Sequence, residues 1–259
     1  MSSSRKTGSL STRSVLVSVL LGSDPPWLPT GLLVRTAELF GITEGATRTA
    51  LSRMVAAGEA NGEDGGYRLA GRLIERQRRQ TTSRRADVRP WDGTWEVVTV
   101  EGDGRRTAVD RASLRDAVRA LRLAEVREGV WTRPDNLPAD RLPDAASVVD
   151  HWCVWWRGAR PSPVPATQSL WDLAGWASEA DRLRADMAAL IGRLEDGATE
   201  ALAKGFVTSA AVLRQLQADP LLPSELLPGT WPGAVLRADY DRYDAAYRST
   251  LRAWFRAAS

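Results

Sequence analysis

Apolar positions in the first sixty residues recur at the spacing of three short helices. The stretch 12–21 is largely apolar, and the stretch 30–40 repeats apolar residues three and four positions apart. Gly41 interrupts this pattern, and a third helix is predicted over 44–57, with Thr43 placed to cap its first turn. Two helices joined by a short glycine-containing turn are typical of a helix-turn-helix.

The third predicted helix has an apolar side and a polar side. At about 100° per residue, the side expected to pack inward carries Thr47, Ala50, Leu51, Met54 and Val55. The opposite side carries small residues and two arginines, which can approach a DNA groove closely and donate to phosphates or guanine. We therefore expect four residues of this side to contact DNA: Arg48, Thr49, Ser52 and Arg53. A helix with an ordinary solvent-exposed side would show the same pattern.

Two short extended segments follow this helix. They are joined by the glycine-rich sequence GEDGG over 62–66, which predicts a hairpin. Three helices and a hairpin form a winged helix, and Tyr67 and Arg68 are the expected DNA contacts in the wing. The arginine-rich stretch 72–90 is predicted to be a basic helix and linker, suited either to phosphate contacts or to solvent. A winged helix that binds protein instead of DNA remains an alternative.

The charge of the chain is unevenly distributed, and this supports a nucleic-acid partner. The first ninety residues contain 14 Lys and Arg against 8 Asp and Glu, although the whole chain carries a net charge of only +3. A basic first third suits binding to a polyanion. No apolar run approaches the roughly 20 residues that cross a bilayer, and one cysteine cannot form a disulfide framework. A cytoplasmic protein without membrane contact is therefore expected, with a disordered tail over 1–11.

The pattern changes to strands after residue 90. Strands are predicted over 93–101, 129–132 and 148–156, and an amphipathic helix over 111–123. Strand, helix and two further strands are compatible with a split βαβ, ferredoxin-like domain.

The last third of the chain has helix-forming composition. Helices are predicted over 178–194, 200–219 and 240–257, and the proline-rich stretch 220–232 is predicted to be a loop that lines a pocket or a subunit interface. The expected fold class is therefore α+β, with an all-α part at the C-terminus.

Candidate catalytic groups are few. His151 and Cys153 would share one face of a strand, as a Cys-His hydrolase requires, but a packed core strand flanked by tryptophans is the favoured interpretation. Asp103 lies near the end of the first central strand, where related folds bind a metal, so a metal-dependent nuclease is an alternative function. No motif for a nucleotide, a cofactor or a serine nucleophile is present. We expect no enzyme activity, no cofactor and no metal site.

Several stretches resemble PaaX-type repressors of phenylacetate degradation. They occur in the family's order and span nearly the whole chain. These stretches are TRSVLVSVLLG, ATRTALSRMVAAGE, YRLAGR, RPWDGTWEVV, REGVWTRPDNL, SLWDLAGW and DPLLPSELLPGTWPG.

The resemblance implies a domain organisation and a function. It implies a winged helix over 12–71, the basic linker 72–90, a ferredoxin-like domain over 91–166 and a helical domain over 167–259. It further implies a homodimer that represses a catabolic operon by binding double-stranded operator DNA. An acyl-CoA inducer, phenylacetyl-CoA in the founding members, would release it.

A ligand of that kind needs aromatic and cationic contacts. Four tryptophans are candidates for stacking on it: Trp152, Trp155, Trp171 and Trp231. Arg133 and Arg157 are candidates for its phosphates, while the alternative for the tryptophans is a role as core anchors.

Overall fold

The computed structural model describes residues 11–23, 25–101 and 106–257. The chain is a mixed α+β protein with two antiparallel sheets. Its helices and strands, in chain order, are α1 Thr12–Leu21, β1 Trp27–Pro29, α2 Thr30–Glu38, α3 Glu44–Ala56, β2 Ala60–Glu63, β3 Gly66–Leu69, α4 Arg72–Arg85, β4 Trp95–Val100, α5 Ala108–Ala120, β5 Ala124–Arg127, β6 Val130–Pro134, α6 Pro143–Trp152, β7 Cys153–Ala159, α7 Thr167–Leu170, α8 Leu173–Glu195, α9 Leu202–Ala218 and α10 Gly233–Arg256.

The chain divides into two compact units. The first contains the described parts of Met1–Gln80, Leu190–Ala210 and Ala245–Ser259, and the second contains those of Thr81–Ala189 and Ala211–Asp244. The domain boundaries predicted from the sequence stay a prediction. Most of the expected tail over 1–11 lies outside the described residues, as does Asp103.

The first unit is built on α1, α2, α3 and a three-stranded sheet of order β1-β3-β2. The three predicted helices and the predicted hairpin are present, and β1 adds a third strand that the sequence pattern did not predict. Apolar side chains from all three helices and from β3 form one core, because the helices turn their apolar sides toward the sheet. This core includes Leu16, Leu20, Leu33, Leu51, Met54 and Leu69.

The hairpin turn follows directly from its sequence. Glu63 pairs with Gly66, so the loop has two residues, Asp64 and Gly65. Both have positive φ, 50° and 72°. Asp-Gly is favoured in two-residue hairpin loops because these residues tolerate that backbone region better than others do.

Segments from the C-terminal third also pack in the first unit. Phe40 contacts Phe206 edge to face, with ring centroids 5.1 Å apart. The Arg35 guanidinium lies 5.0 Å from the centre of the Trp254 ring. Thr250 donates its hydroxyl to the carbonyl of Leu194 at 2.5 Å.

The second unit contains a four-stranded antiparallel sheet of order β5-β6-β4-β7. Helices α5 and α6 pack together, and their apolar residues form a core with the sheet that includes Val98, Leu114, Val118, Trp131 and Val149. Helix α5 begins three residues before its predicted start, because Thr107 and Asp110 form a reciprocal capping box.

One predicted strand is wrong. The stretch 148–156 was expected to be a strand throughout, but α6 continues to Trp152 and β7 begins only at Cys153. Pro143 opens α6 at its first turn, and Val149 is buried on the side facing the core. Helical spacing around Val149 therefore outweighs the strand preference of the adjacent valines and tryptophans.

Candidate nucleic-acid interface

Helix α3 begins where the sequence predicts. The Thr43 hydroxyl accepts a hydrogen bond from the Ala46 backbone N–H at 3.3 Å, which satisfies one of the free donors at the helix start. Thr47, Leu51 and Met54 are fully buried. The predicted DNA contacts on the other side, Arg48, Thr49, Ser52 and Arg53, are all exposed. Val55 was expected to pack inward, but it is 41% exposed because it lies at the edge of the apolar side.

Arg48 is paired within its own helix. Its Nε donates to Oε1 of Glu44 at 2.7 Å, and both side chains are more than half exposed. Exposed pairs of this kind stabilise a protein by about 0–1 kcal/mol. A phosphate can therefore replace Glu44 as the partner of Arg48 at little energetic cost.

The two hydroxyls on this side also have internal partners. Thr49 donates to the Gly45 carbonyl at 2.8 Å, and Ser52 donates to the Arg48 carbonyl at 3.1 Å. A phosphate oxygen only accepts hydrogen bonds. Each hydroxyl must therefore rotate away from its carbonyl before it can donate to DNA.

A groove runs between the start of α1 and this side of α3. It has a volume of about 600 Å³ and is lined in part by Thr49 and Arg53 of α3. Arg13 and Glu59 line it as well and form an ion pair, with Arg13 Nε 2.8 Å from a Glu59 oxygen. The hydrogen bond from Arg13 lowers the pKa of Glu59. Sequence analysis missed both residues because they are 46 positions apart.

Arg53 differs from its neighbour Arg48. Across residues 11–23, 25–101 and 106–257, Arg53 forms no ion pair, although it borders the same groove as Arg13. Its guanidinium is the more available of the two predicted arginine contacts on α3.

The predicted wing contacts lie on the middle strand of the sheet. Tyr67 is half-buried and packs against the apolar core of the first unit, while Arg68 forms an ion pair with Glu63 on the neighbouring strand. Asp64 and Gly65, the two residues of the turn, are exposed, as are Asn61 and Gly62 on β2. The structure thus brings the α3 residues onto one surface and leaves Tyr67 and Arg68 with partners inside the sheet.

The basic stretch after the hairpin is mainly helical. Helix α4 spans Arg72–Arg85. Arg84 lies in the second unit and contacts three other residues of that unit. It forms ion pairs with Asp241 at 2.7 Å and Asp244 at 3.1 Å. Its guanidinium also lies 4.9 Å from the centre of the Tyr240 ring.

Comparisons with known proteins decide the family. Residues 11–73 match the family described as PaaX-like protein, and residues 171–257 match the PaaX-like protein C-terminal domain. The chain belongs to the PaaX family. Members of this family are DNA-binding transcriptional regulators.

A solved structure resembles nearly the whole chain. The chain is similar to the uncharacterized protein Rv0674 from Mycobacterium tuberculosis, with 42% sequence identity and a TM-score of 0.69. The match covers 95% of this chain and 99% of that one. A comparison with the curated proteins found no match.

The residues predicted to bind a ligand of this PaaX-family protein lie in three separate places: beside Trp155, beside Trp176 and at Arg133. Trp155 donates to Asp150 and lies under the Arg157 guanidinium, 5.2 Å from the ring centre, while Trp152 packs beside the central core. Trp171 lines a smaller cavity of about 300 Å³, which Trp176 borders. Trp231 stacks on Trp176 with ring centroids 4.4 Å apart.

Arg133 stands apart from the other predicted ligand contacts. It is 1% exposed, and its guanidinium donates to two backbone carbonyls and to Asn136 Oδ1 at 2.7 Å. Burial lowers the pKa of Arg133 to about 9. These contacts give Arg133 a structural role in the sheet, whatever ligand the protein binds.

The candidate catalytic groups are not arranged as the sequence predicted. His151 is exposed in the last turn of α6, whereas Cys153 is buried at the start of β7, so the two do not share a strand face. Burial raises the pKa of the Cys153 thiol. Within the described part of the chain, no three His, Cys, Asp or Glu side chains are grouped to hold a metal. None of the described helices is long and apolar enough to cross a membrane.

Proposed function

We propose that this PaaX-family protein is a repressor that binds operator DNA through a winged helix formed by α1 to α3 and the β2-β3 hairpin. The observation that carries this proposal is the exposed side of α3, with Arg48, Thr49, Ser52 and Arg53 on one surface. Small and cationic side chains there allow close approach to a DNA groove. Glu44 is the one acid on that side of α3, and it lies in the first turn.

Each arginine has a distinct role in this proposal. Arg53 contacts a phosphate or a guanine directly, since it forms no ion pair in the described part of the chain. Arg48 exchanges Glu44 for DNA. Tyr67 and Arg68 support the contact from the hairpin, and the turn at Asp64 and Gly65 approaches the DNA backbone.

The regulatory part of the proposal concerns the remainder of the chain. The four-stranded sheet and helices α5 and α6 form a ferredoxin-like domain, which their chain order β4-α5-β5-β6-α6-β7 supports. A homodimer binds the operator of a catabolic operon in the cytoplasm and is released by an acyl-CoA inducer. Trp171 and Trp231 are the better-supported ligand contacts, because one lines a cavity and the other stacks on a residue that lines it.

Fluorescence anisotropy with a labelled duplex from the protein's own promoter region tests DNA binding. We expect specific binding at low salt, and Arg53→Ala should weaken it by about 1–3 kcal/mol if a base contact is lost. Arg119→Ala is the matched control, because Arg119 is 78% exposed and its one ion pair among the described residues is with the nearby Asp116.

Three outcomes distinguish the alternatives. Equal weakening by Arg53→Ala and Arg119→Ala would contradict the assignment of α3 as the DNA-reading helix. No binding to the duplex at low salt would favour a protein-binding winged helix. Cleavage of the duplex that requires Mg²⁺ and is lost in Asp103→Ala would favour the nuclease.

The inducer is tested separately. Acyl-CoA thioesters are added to the protein and to its complex with the duplex, and both melting temperature and anisotropy are measured. A ligand that binds only the folded state raises the melting temperature. An inducer must also release the duplex, so stabilisation without release would contradict its assignment as the inducer.

A further inference from the structure

Three arginine side chains of the second unit converge on the end of helix α4. Arg122 donates to the Ser83 hydroxyl at 3.2 Å, and Arg237 donates to the Ser83 carbonyl at 3.3 Å. Arg141 donates to the Thr82 carbonyl at 3.2 Å. The last carbonyls of a helix lack partners within it and carry partial negative charge, so the arginines cap α4.

This capping does not balance the charge. Asp219 forms the one ion pair made by any of the three arginines within the described residues, with Arg237 Nη1 2.7 Å from its Oδ2. A helix end contributes only about half a negative charge. Arg141 also donates to the Asp87 carbonyl at 2.7 Å and lies near the Asp87 carboxylate. Three guanidinium groups therefore face two carboxylates, those of Asp219 and Asp87, and a partial charge. We call Arg122, Arg141 and Arg237 the arginine cluster.

Burial and mutual repulsion lower the pKa values of two arginines in the cluster. Burial lowers the pKa of Arg122 to about 10, and the nearby charge of Arg141 lowers it further in the same direction. Burial also lowers the pKa of Arg141, with an added contribution from Arg237. Arg122 and Arg141 nevertheless remain protonated at neutral pH, so their positive charge persists.

Two donors of the cluster lack acceptors. The Nε atoms of Arg122 and Arg237 are fully buried and have no hydrogen-bond partner in the described part of the protein. A buried donor without a partner destabilises a protein by about 1–3 kcal/mol. An oxyanion would supply both the missing acceptors and the missing negative charge.

The backbone at Arg122 adds a third observation. Helix α5 ends in a Schellman motif, with Leu123 N–H donating to Val118 O and Arg122 N–H to Arg119 O, each at 3.0 Å. Arg122 occupies the position of this motif that glycine prefers, with φ of 64°. A side chain in this region costs about 1–3 kcal/mol, so the chain tolerates strain at the residue that directs a guanidinium into the cluster.

We infer that the arginine cluster binds the phosphate group of a small-molecule anion. Arg122 and Arg141 are partly exposed, which gives a small anion a route to the cluster. The inference goes beyond the proposed function, because an anion can bind here whether or not the protein binds DNA. The contrasting explanation is that the arginines only cap α4.

The test measures anion binding to the full chain by calorimetry and by thermal denaturation. Sodium pyrophosphate, phosphate and sulfate are compared at constant ionic strength adjusted with chloride. We expect pyrophosphate at about 10 mM to raise the melting temperature by about 2 °C or more. A stronger response to pyrophosphate than to phosphate assigns the site to a diphosphate-bearing molecule, and the reverse order assigns it to free phosphate.

Arg122→Gly is the informative variant, since glycine suits the backbone at this position and removes the guanidinium. It should bind the anion at least about tenfold more weakly, as expected for loss of one charge-assisted hydrogen bond. Arg119→Gln is the control, because Arg119 is exposed in the last turn of α5, just before Arg122. This variant should bind the anion as the unaltered protein does.

Two results would overturn the inference. One is the absence of any heat or melting shift with pyrophosphate or phosphate, and the other is an equal response in Arg122→Gly and the unaltered protein. If Arg122→Gly does not fold, Arg141→Gln replaces it under the same criteria. If neither folds, phosphorus NMR line broadening of pyrophosphate by the unaltered protein decides, and no broadening counts against the site. Operator binding is measured in parallel, so failure of the anion site is separate from failure of DNA binding.

Discussion

Single residues on α3 differ in how readily they can reach DNA. Arg48 is held by Glu44 at 2.7 Å, whereas Arg53 has no ion-pair partner in the described residues. Thr49 and Ser52 have hydroxyls bonded to backbone carbonyls one turn earlier. The sequence predicts that all four side chains contact DNA, but it does not rank them. Under the proposed function, their partners rank Arg53 first and make Glu44 a competitor of DNA for Arg48.

Glu44→Gln should therefore strengthen duplex binding, by about two- to fivefold at low salt, because it removes a negative charge from the surface that meets phosphates. The substitution also removes a favourable charge at the helix start and should lower the free energy of unfolding by about 0.3–1 kcal/mol. Anisotropy titrations and urea denaturation measure the two effects. Glu128→Gln, an exposed acid of the second unit, is the control. Binding no tighter than in the unaltered protein would mean that this end of α3 faces away from DNA.

The ion pair between Arg13 and Glu59 should make stability depend on pH. The Glu59 pKa is lowered from its ordinary value of 4.5, chiefly by the hydrogen bond from Arg13. The stabilisation is therefore fully present above pH 4.5 and is lost as the pH falls through the lowered pKa of the folded state.

Arg13→Gln tests this pH dependence. At pH 7 the variant should be less stable by under about 1 kcal/mol, because both side chains are partly exposed. The difference should disappear as Glu59 becomes protonated. Urea denaturation midpoints from pH 7 to pH 3 measure it, and a constant difference across that range would show that the Arg13 side chain acts through packing instead.

At the scale of elements, the small sheet of the first unit depends on glycine at one position. A Cβ added to Gly66 would lie 2.4 Å from the Leu28 carbonyl oxygen and 2.9 Å from the Trp27 ring. We expect Gly66→Ala to destabilise the protein by about 1–3 kcal/mol, since β1 would have to move away from β3.

Gly62→Ala is the matched control for Gly66→Ala. Gly62 lies on the adjacent strand of the same sheet, and a Cβ there would be 3.8 Å from the nearest atom, on the Tyr67 ring. Its free energy of unfolding should change by less than about 0.5 kcal/mol. Similar losses in the two variants, measured by urea denaturation, would indicate a general intolerance of side chains in the hairpin.

How far the elements could be predicted depended on whether their signals were local. Helix α3 and the hairpin carry a cap, a helical apolar repeat and an Asp-Gly turn, so the sequence predicts them closely. Strand β1 has three residues and β5 has four, and each is defined by a partner strand elsewhere in the chain. The last turn of helix α6, from Val148, was predicted as a strand because its valines favour strands when taken without their packing.

The candidate sites also differ in whether their signals are local in the sequence. The polar residues on the exposed side of α3 recur with the period of a helix, so their spacing in the sequence predicts that side. The arginine cluster joins the ends of three separate segments, with Arg122 and Arg237 both bound to Ser83. Neither their convergence nor their buried Nε atoms leaves a periodic signal in the sequence. Arg133 was predicted as a ligand contact from its residue type, which does not reveal that its guanidinium is buried and bonded to Leu121, Pro134 and Asn136.

At the scale of the whole molecule, the uneven charge makes a quantitative prediction about salt. The first ninety residues carry 14 Lys and Arg against 8 Asp and Glu, so the net positive charge lies in the part that contains α3 and the hairpin. A protein that neutralises phosphates displaces counterions from DNA, and the logarithm of its affinity falls by about 0.9 for each phosphate per tenfold rise in salt.

We expect a slope of about −3 or steeper between 50 and 200 mM KCl, which corresponds to contact with about three or more phosphates. Affinity should then fall about 50-fold or more over this range, as measured by anisotropy with a promoter duplex. Arg53→Ala should reduce the slope by about one if Arg53 contacts a phosphate, and leave it unchanged with weaker binding if it contacts a base. Arg119→Ala should leave both quantities unchanged. A slope near zero would mean that the basic part of the chain does not meet DNA phosphates, and the exposed arginines of α3 would then have to serve a protein partner.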